Sequence, residues 1–523
     1  MKINKVILTN FRGYSNPTEI YFNDLTVFVG RNDIGKSTVL EALDLFFNEG
    51  KGAIKFDKAD ISVGADNKEY EIAVVFADLP TEVIVDSTYK TTLENEYLLN
   101  KDGNLHVIKK FSSGTKFKGT YIRALHPTNP ECDDLLQKKV SELRAIIKKE
   151  DIDCERQTTN AVMRQAIWKK HSDNLQLAVK DIDVAVGDDA KRIWAKLSEI
   201  LPAYSLFQSD RQNTDGDKEI QDPLKAAVGQ FFLDEKIQVK LNEVASEVEE
   251  KLREVSNRTL EKLREMDPAV ADTLSPVIPS PTQLKWSDVF KNVSITADDD
   301  IPINKRGSGV KRLILLNFFR AEAERRQKDN HNTGLIYAIE EPETSQHFSN
   351  QKILAEALIS LSKTQNTQVI LTTHSGVVVK MLDFKDLRLI SKDTDEKKTV
   401  THVEKGILGY PSMNEVNYTS FDEITEEYHD ELYGFISSHN WLSDYENGKK
   451  RIPYLREKDN GTIIEQNLTE TKYIRHVIHH PENTHNDGYT FEMIKQSVEN
   501  MRTFIAEKTE GTEVWSDKDD FDS

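Results

Sequence analysis

The 523-residue chain has only two cysteines, Cys132 and Cys154, and neither has a histidine or second cysteine at metal-ligand spacing. That count argues against a disulfide scaffold and a zinc knuckle, and it suits a reducing cytoplasm. No apolar run approaches the roughly eighteen residues needed to cross a bilayer, so the expectation is a soluble cytoplasmic protein with no membrane partner. Basic residues are in the minority, 69 Lys and Arg against 88 Asp and Glu for a net charge of -19. Such a balance argues against a surface made to coat nucleic acid and leaves room only for a local basic groove. Internal repeats and long low-complexity tracts are also missing. The length exceeds one ordinary core and predicts two to four modules.

What is present begins at Gly30-Arg31-Asn32-Asp33-Ile34-Gly35-Lys36-Ser37-Thr38, a full match to the phosphate-loop pattern G-x-x-x-x-G-K-[ST]. Its flanks are right: Leu25 to Val29 is apolar and β-branched like a buried strand, and Ser37 to Phe47 has helical spacing. Gly30 and Gly35 permit the backbone angles that turn successive N–H groups toward one anion. Lys36 can reach the β- and γ-phosphates of ATP, Ser37 can offer its hydroxyl to Mg²⁺, and the helix N-terminus adds a favourable dipole.

Three further motifs follow in order. Arg306-Gly-Ser308-Gly309 opens an apolar helix and reads either as a plain N-cap or as a turn presenting N–H groups to an anion. The run Ile336 to Glu343 ends in Glu340-Glu341-Pro342-Glu343, with Glu340 a candidate Mg²⁺ ligand and Glu341 a candidate general base for the attacking water. His374 ends the next strand-like run and is placed to sense the γ-phosphate or to cap a carbonyl. Composition predicts a nucleotide-binding lobe at 1–130, a helical or short coiled-coil insertion at 131–280, a second lobe at 281–400 and a helical C-terminal domain at 401–523. The clearest predicted helix carries Leu241, Val244, Val248, Leu252 and Val255 at three- and four-residue spacing.

The four motifs, with the opening Ile-Leu-Thr-Asn-Phe-Arg-Gly, resemble the RecF/SMC-like branch of the ATP-binding cassette superfamily over about residues 1–90 and 285–395. The Glu-Glu-Pro-Glu form resembles the overcoming-lysogenization-defect (OLD) type. The resemblance implies an α/β ATPase sheet interrupted by a helical insertion. It also implies a homodimer or higher oligomer in which two ATP molecules lie between one subunit's phosphate loop and the other's Ser308-Gly309. Glu340 stands where that family usually has Asp. Beyond His374 the chain lacks the acidic strand ends of the Toprim nuclease that OLD proteins carry. The phrases Leu206 to Asp217, Asn414 to Tyr418 and Ile478 to Asn483 are similar to PtuA, the ATPase subunit of Septu-type anti-phage defence, including retron-linked forms. That similarity implies a separate HNH nuclease partner and, in retron settings, a reverse transcriptase and its non-coding RNA. Arg475 and His480 fit the Arg-x-x-x-x-His pattern of HEPN ribonucleases as well as a docking or structural role. A RecF-like DNA-repair ATPase is the remaining alternative.

Overall fold

The computed structural model describes residues 1–65, 69–80, 83–86, 89–112, 116–208, 235–266, 334–344, 346–394, 396–458 and 461–509. The chain divides into two units, Met1–Ser209 with Asn330–Ser523, and Asp210–Asp329. In the first unit, strands β1 (Lys2–Thr9), β2 (Thr18–Tyr21), β3 (Leu25–Val29) and β4 (Glu69–Ala77) come early, and helix α1 (Lys36–Asn48) follows β3. A small hairpin of β5 (Val83–Asp86) and β6 (Tyr89–Thr91) precedes β7 (Leu105–Ser112) and β8 (Lys116–His126). Helices α2 (Val140–Lys149), α3 (Asn160–Lys170) and α4 (Asp188–Ile200) alternate with β9 (Ala178–Asp183) and β10 (Ala203–Phe207).

Two six-stranded sheets result. The first, in order β2-β1-β4-β7-β8-β9, is antiparallel throughout. Its edge strand β2 alternates buried and exposed residues, as a sheet with one wet face requires. The second contains β10, then β11 (Leu335–Glu340), β12 (Thr367–Thr372), β3, β13 (Leu387–Lys392) and β14 (Lys398–His402). Its first five strands run parallel and β14 returns antiparallel. The central strands β3 and β12 are buried at every residue, the near-continuous apolar run that a covered parallel sheet demands. Because α1 packs against both sheets, its apolar residues surround the axis, with Val39, Leu40, Leu43, Leu45 and Phe46 all in the shared core.

The phosphate-loop strand thus lies between β12 and β13, so the two ATPase lobes do share a sheet. Strands β1, β2 and β4 do not join it, contrary to a one-sheet expectation; they pair antiparallel in the other sheet, where β2 alternates buried and exposed residues and β4 is buried along its centre. The segment expected as a helical insertion also contributes β9 and β10, one to each sheet. Its first helices enclose a satellite core around Leu143, Met163, Ile167 and Trp168. Beside that core Arg164, fully buried, is neutralised by Glu96 at 2.8 Å and by Asp189. In the second unit α5 (Glu235–Met266) is one 32-residue helix, with Val244, Leu252 and Val255 exposed.

After β11, helix α6 (Phe348–Ser362) carries the crossover to β12, and the short α7 (Gly376–Lys380) follows. The C-terminal region holds α8 (Met413–Phe421), α9 (Glu426–Ser438), α10 (Leu442–Glu446), a hairpin of β15 (Arg451–Glu457) and β16 (Ile463–Thr469), then α11 (Glu470–His479) and α12 (Phe491–Thr509). Its own core gathers Leu408, Tyr428, Leu432, Ile436, Ile474, Val498, Met501 and Ile505. Among the described residues no helix is long and apolar enough to cross a membrane.

Candidate nucleotide site

The loop between β3 and α1 has the backbone its sequence calls for. Gly30 at φ 143° and Gly35 at φ 109° occupy angles that side chains disfavour, and Asp33 at φ 60° is the left-handed residue between them. A Cβ on Gly30 would lie 2.6 Å from the Ile390 carbonyl oxygen, so the loop can pass β13 only as glycine. Lys36 is buried and its ammonium donates to the carbonyls of Gly30 at 2.9 Å and Arg31 at 2.8 Å. Burial lowers its pKa to about 8, against the opposing pull of Glu341, Asp33 and Glu343. Asn32 and Asp33 are exposed on the loop tip, Ile34 is half-buried, and Ser37 and Thr38 open the first helical turn, partly accessible.

The acidic strand reaches the same edge. Glu340 is buried at the end of β11 and Glu341 follows with φ 39°, a strained angle for a non-glycine residue and one that clusters at functional sites. The Glu341 N–H donates to the Thr372 carbonyl at 3.0 Å, and its carboxylate lies 3.3 Å from His374 Nε2 and accepts from Thr344 Oγ1 at 3.3 Å. Burial, then the Lys36 charge, lowers the His374 pKa, with Glu341 and Glu343 opposing, so the imidazole is neutral at pH 7. Lys36, Glu341, Glu343 and His374 therefore sense one another's charge, and three separated motifs meet.

Glu343 is the residue that sequence reasoning left without a role. Its Oε1 accepts from Thr373 Oγ1 at 2.7 Å and from the His374 N–H at 2.9 Å, which ties the acidic strand to the histidine turn. Its Oε2 is buried and takes no hydrogen bond among the described residues. The signal was its place in the Glu-Glu-Pro-Glu run. Arg12 was another: it bridges Asp60 at 2.9 Å and Glu41 of α1, locking the first turn of the chain to the phosphate-loop helix.

The donor set fits a nucleotide with Mg²⁺. The loop glycines leave the backbone open to an anion, Lys36 sits at its mouth, and Ser37 and Glu340 are the protein groups able to hold the ion, which usually keeps several waters and phosphate oxygens. Such a metal polarises the phosphate and neutralises developing charge when bound. No independent cluster of three His, Cys, Asp or Glu suited to a metal occurs among the described residues. Ser308 and Gly309 lie outside the described residues.

Residues 1–379 match the model of the AAA ATPase domain family. The chain belongs to that family. It is an ATPase, and the match ends just beyond His374, so the AAA ATPase domain contains the site just described. Over 109 residues the chain is 28% identical to the OLD nuclease of Thermus scotoductus, covering 21% of this chain and 20% of that protein. The chain thus matches about a fifth of that relative's length. Among solved structures it is similar to an SmcHead bound to the C-winged helix domain of ScpA, with 15% identity, a TM-score of 0.36 and coverage of 77% of this chain and 98% of the other. The SMC head domain from Thermotoga maritima aligns at 14% identity and a TM-score of 0.32, over 77% of this chain and all of that one.

The remaining predicted pair, Arg475 and His480, has separate partners. Arg475, on α11, stacks on Tyr433 at 4.6 Å and lies 3.6 Å from Asp430, which also takes His479 at 2.7 Å. His480 caps the end of the helix and pairs with Glu482 at 3.0 Å.

Proposed function

We propose that this ATPase is the switch subunit of an anti-phage defence system of the Septu type, closing as a homodimer around two ATP and controlling a separate HNH nuclease. Lys36, Ser37 and Glu340 hold Mg-ATP, Glu341 orients and deprotonates the attacking water, and the neutral His374 reports the γ-phosphate. Ser308 and Gly309 of the second subunit close each site. The finer assignment rests on the PtuA-like phrases in the sequence.

One observation carries the idea of a switch. Arg31, inside the phosphate loop, donates to Glu423 at 2.7 Å and to the Phe421 carbonyl at 3.0 Å, while its guanidinium covers the Phe421 ring. Lys380, at the end of the short helix after His374, pairs with Glu431 of α9 at 2.7 Å. Both nucleotide-contacting loops are therefore fastened to the C-terminal module, which lies beyond the family match.

The deciding experiment asks whether an HNH protein is encoded beside this one and measures the nuclease activity of the two purified together, with and without ATP. ATP-responsive activity that Lys36→Ala uncouples is the expected outcome. A Lys36→Ala complex that still responds to ATP and still protects cells from phage sinks the proposal. Salt-dependent duplex binding without any nuclease partner would instead favour the DNA-repair alternative.

A further inference from the structure

Strand β14 brings a second lysine to the phosphate loop from the far edge of the sheet. Lys398, the first residue of β14, hangs over the Tyr14 ring with Nζ 5.3 Å from its centroid. Its ammonium also fills a slot between two glycines: a Cβ on Gly35 would lie 2.6 Å from Nζ, and one on Gly13 2.4 Å from it. Tyr14 is fully buried and its hydroxyl donates to the Gly35 carbonyl at 3.1 Å, so the ring that supports Lys398 is itself fixed to the loop.

The lysine has no acid to answer it. Among the described residues Lys398 makes no ion pair and no hydrogen bond, and its neighbour Lys392, paired with Glu396, adds repulsion. Burial is the larger cause lowering its pKa, and none of Glu340, Glu341 and Glu343 is among the charges acting on it. Holding a half-buried ammonium without an acceptor costs free energy that an arriving anion recovers. Lys36 by contrast feels the charges of Glu341, Asp33 and Glu343, the first of them the acid assigned to the attacking water.

We infer that Lys398 is a second nucleotide-binding cation, serving the part of the phosphate chain that ATP and ADP share while Lys36 serves the terminal phosphate. This rests on the nucleotide-binding reading of the phosphate loop. Two substitutions separate charge from packing: Lys398→Met keeps the aliphatic stem over Tyr14 and removes the ammonium, whereas Lys398→Arg keeps a cation. Equilibrium binding of ATP and of ADP to the full-length protein, with a thermal melt of each variant, provides the readout.

The expected result is that Lys398→Met binds both nucleotides about 10- to 100-fold more weakly, by a similar factor, and that Lys398→Arg restores most of the loss. A shifted melting temperature with unchanged ATP and ADP affinity overturns the inference and leaves the lysine a packing group. Loss confined to ATP overturns it too, since it would place the contact at the γ-phosphate. Wild-type protein that binds neither nucleotide would bring down the nucleotide-site reading itself, a result distinct from either.

Discussion

The ATPase half and the C-terminal module both bury polar side chains, but to opposite ends. Around the phosphate loop the buried groups are incompletely matched: Lys36 leans on carbonyls, and Glu343 Oε2 takes no hydrogen bond among the described residues. In the C-terminal module many of them meet one another, although His429 Nδ1, Asp430 Oδ1, Thr469 Oγ1 and Arg475 Nε take no hydrogen bond among the described residues. His429 Nε2 meets Ser497 Oγ at 3.0 Å, Ser497 donates to Thr471 at 2.7 Å, and Tyr445 joins at 2.9 Å. Glu431 likewise collects Ser412 at 2.8 Å, Asn414 at 2.7 Å and Lys380 at 2.7 Å. The difference lies in where the groups are directed: the charges around the phosphate loop act on one another at a single edge of the sheet, whereas the Glu431 and Ser497 networks join helices of the C-terminal module.

That contrast can be broken in graded ways. The sharpest is Glu341→Gln, which should lower ATP turnover by about 10²- to 10⁴-fold with nucleotide binding retained; steady-state hydrolysis and equilibrium binding measured together check it. Next, Glu431→Ala should strip an acceptor from Tyr410, Ser412, Asn414 and Lys380, lowering stability by about 1–3 kcal/mol in a denaturant melt while the isolated nucleotide affinity stays near wild type. If that substitution abolished ATP binding instead, the two halves would not be separable.

A smaller effect follows from pH. Burial lowers Lys36 to about 8 in the free protein, and a bound phosphate favours its charged form. Below pH 8 the ammonium is already present; above it, binding must take up a proton, so ATP affinity should fall as pH rises from about 8 toward 10. Calorimetry in buffers of different ionisation enthalpy would register the uptake, and Lys36→Met should flatten this dependence. The smallest direct effect belongs to Arg31→Ala. Its ion pair is exposed and worth less than about 1 kcal/mol, so ATP affinity should change by under about threefold, while the influence of the C-terminal module on that affinity should weaken, the Lys380–Glu431 pair remaining.

Legibility followed locality. The phosphate loop could be recognised from nine consecutive residues, and the strand before it and helix after it are where their patterns put them. Glu341 and His374 were placed by their positions at strand ends, and the structure sets them 3.3 Å apart. Lys398 was not visible because nothing in the sequence relates it to Gly35; the antiparallel return of β14 beside β13 makes the connection. The β15–β16 hairpin was hidden in a segment expected to be helical. Its alternation at Ile452 and Tyr454 was present, but Pro453 stands inside the run and only a two-stranded ribbon tolerates it. Arg475 and His480 were joined by spacing alone, and in the structure Arg475 is held by Tyr433 and Asp430 while His480 pairs with Glu482.

The Arg31 contact carries an obligation in both directions. If ATP entering the loop shifts the equilibrium of the C-terminal module, then whatever grips that module must shift ATP affinity by the same factor, because coupling between two binding events is reciprocal. A bound partner is then felt at the phosphate loop as surely as the nucleotide is felt by the partner. Titrating the nuclease against a fixed, subsaturating ATP concentration would reveal the subunit as a meter of its own assembly.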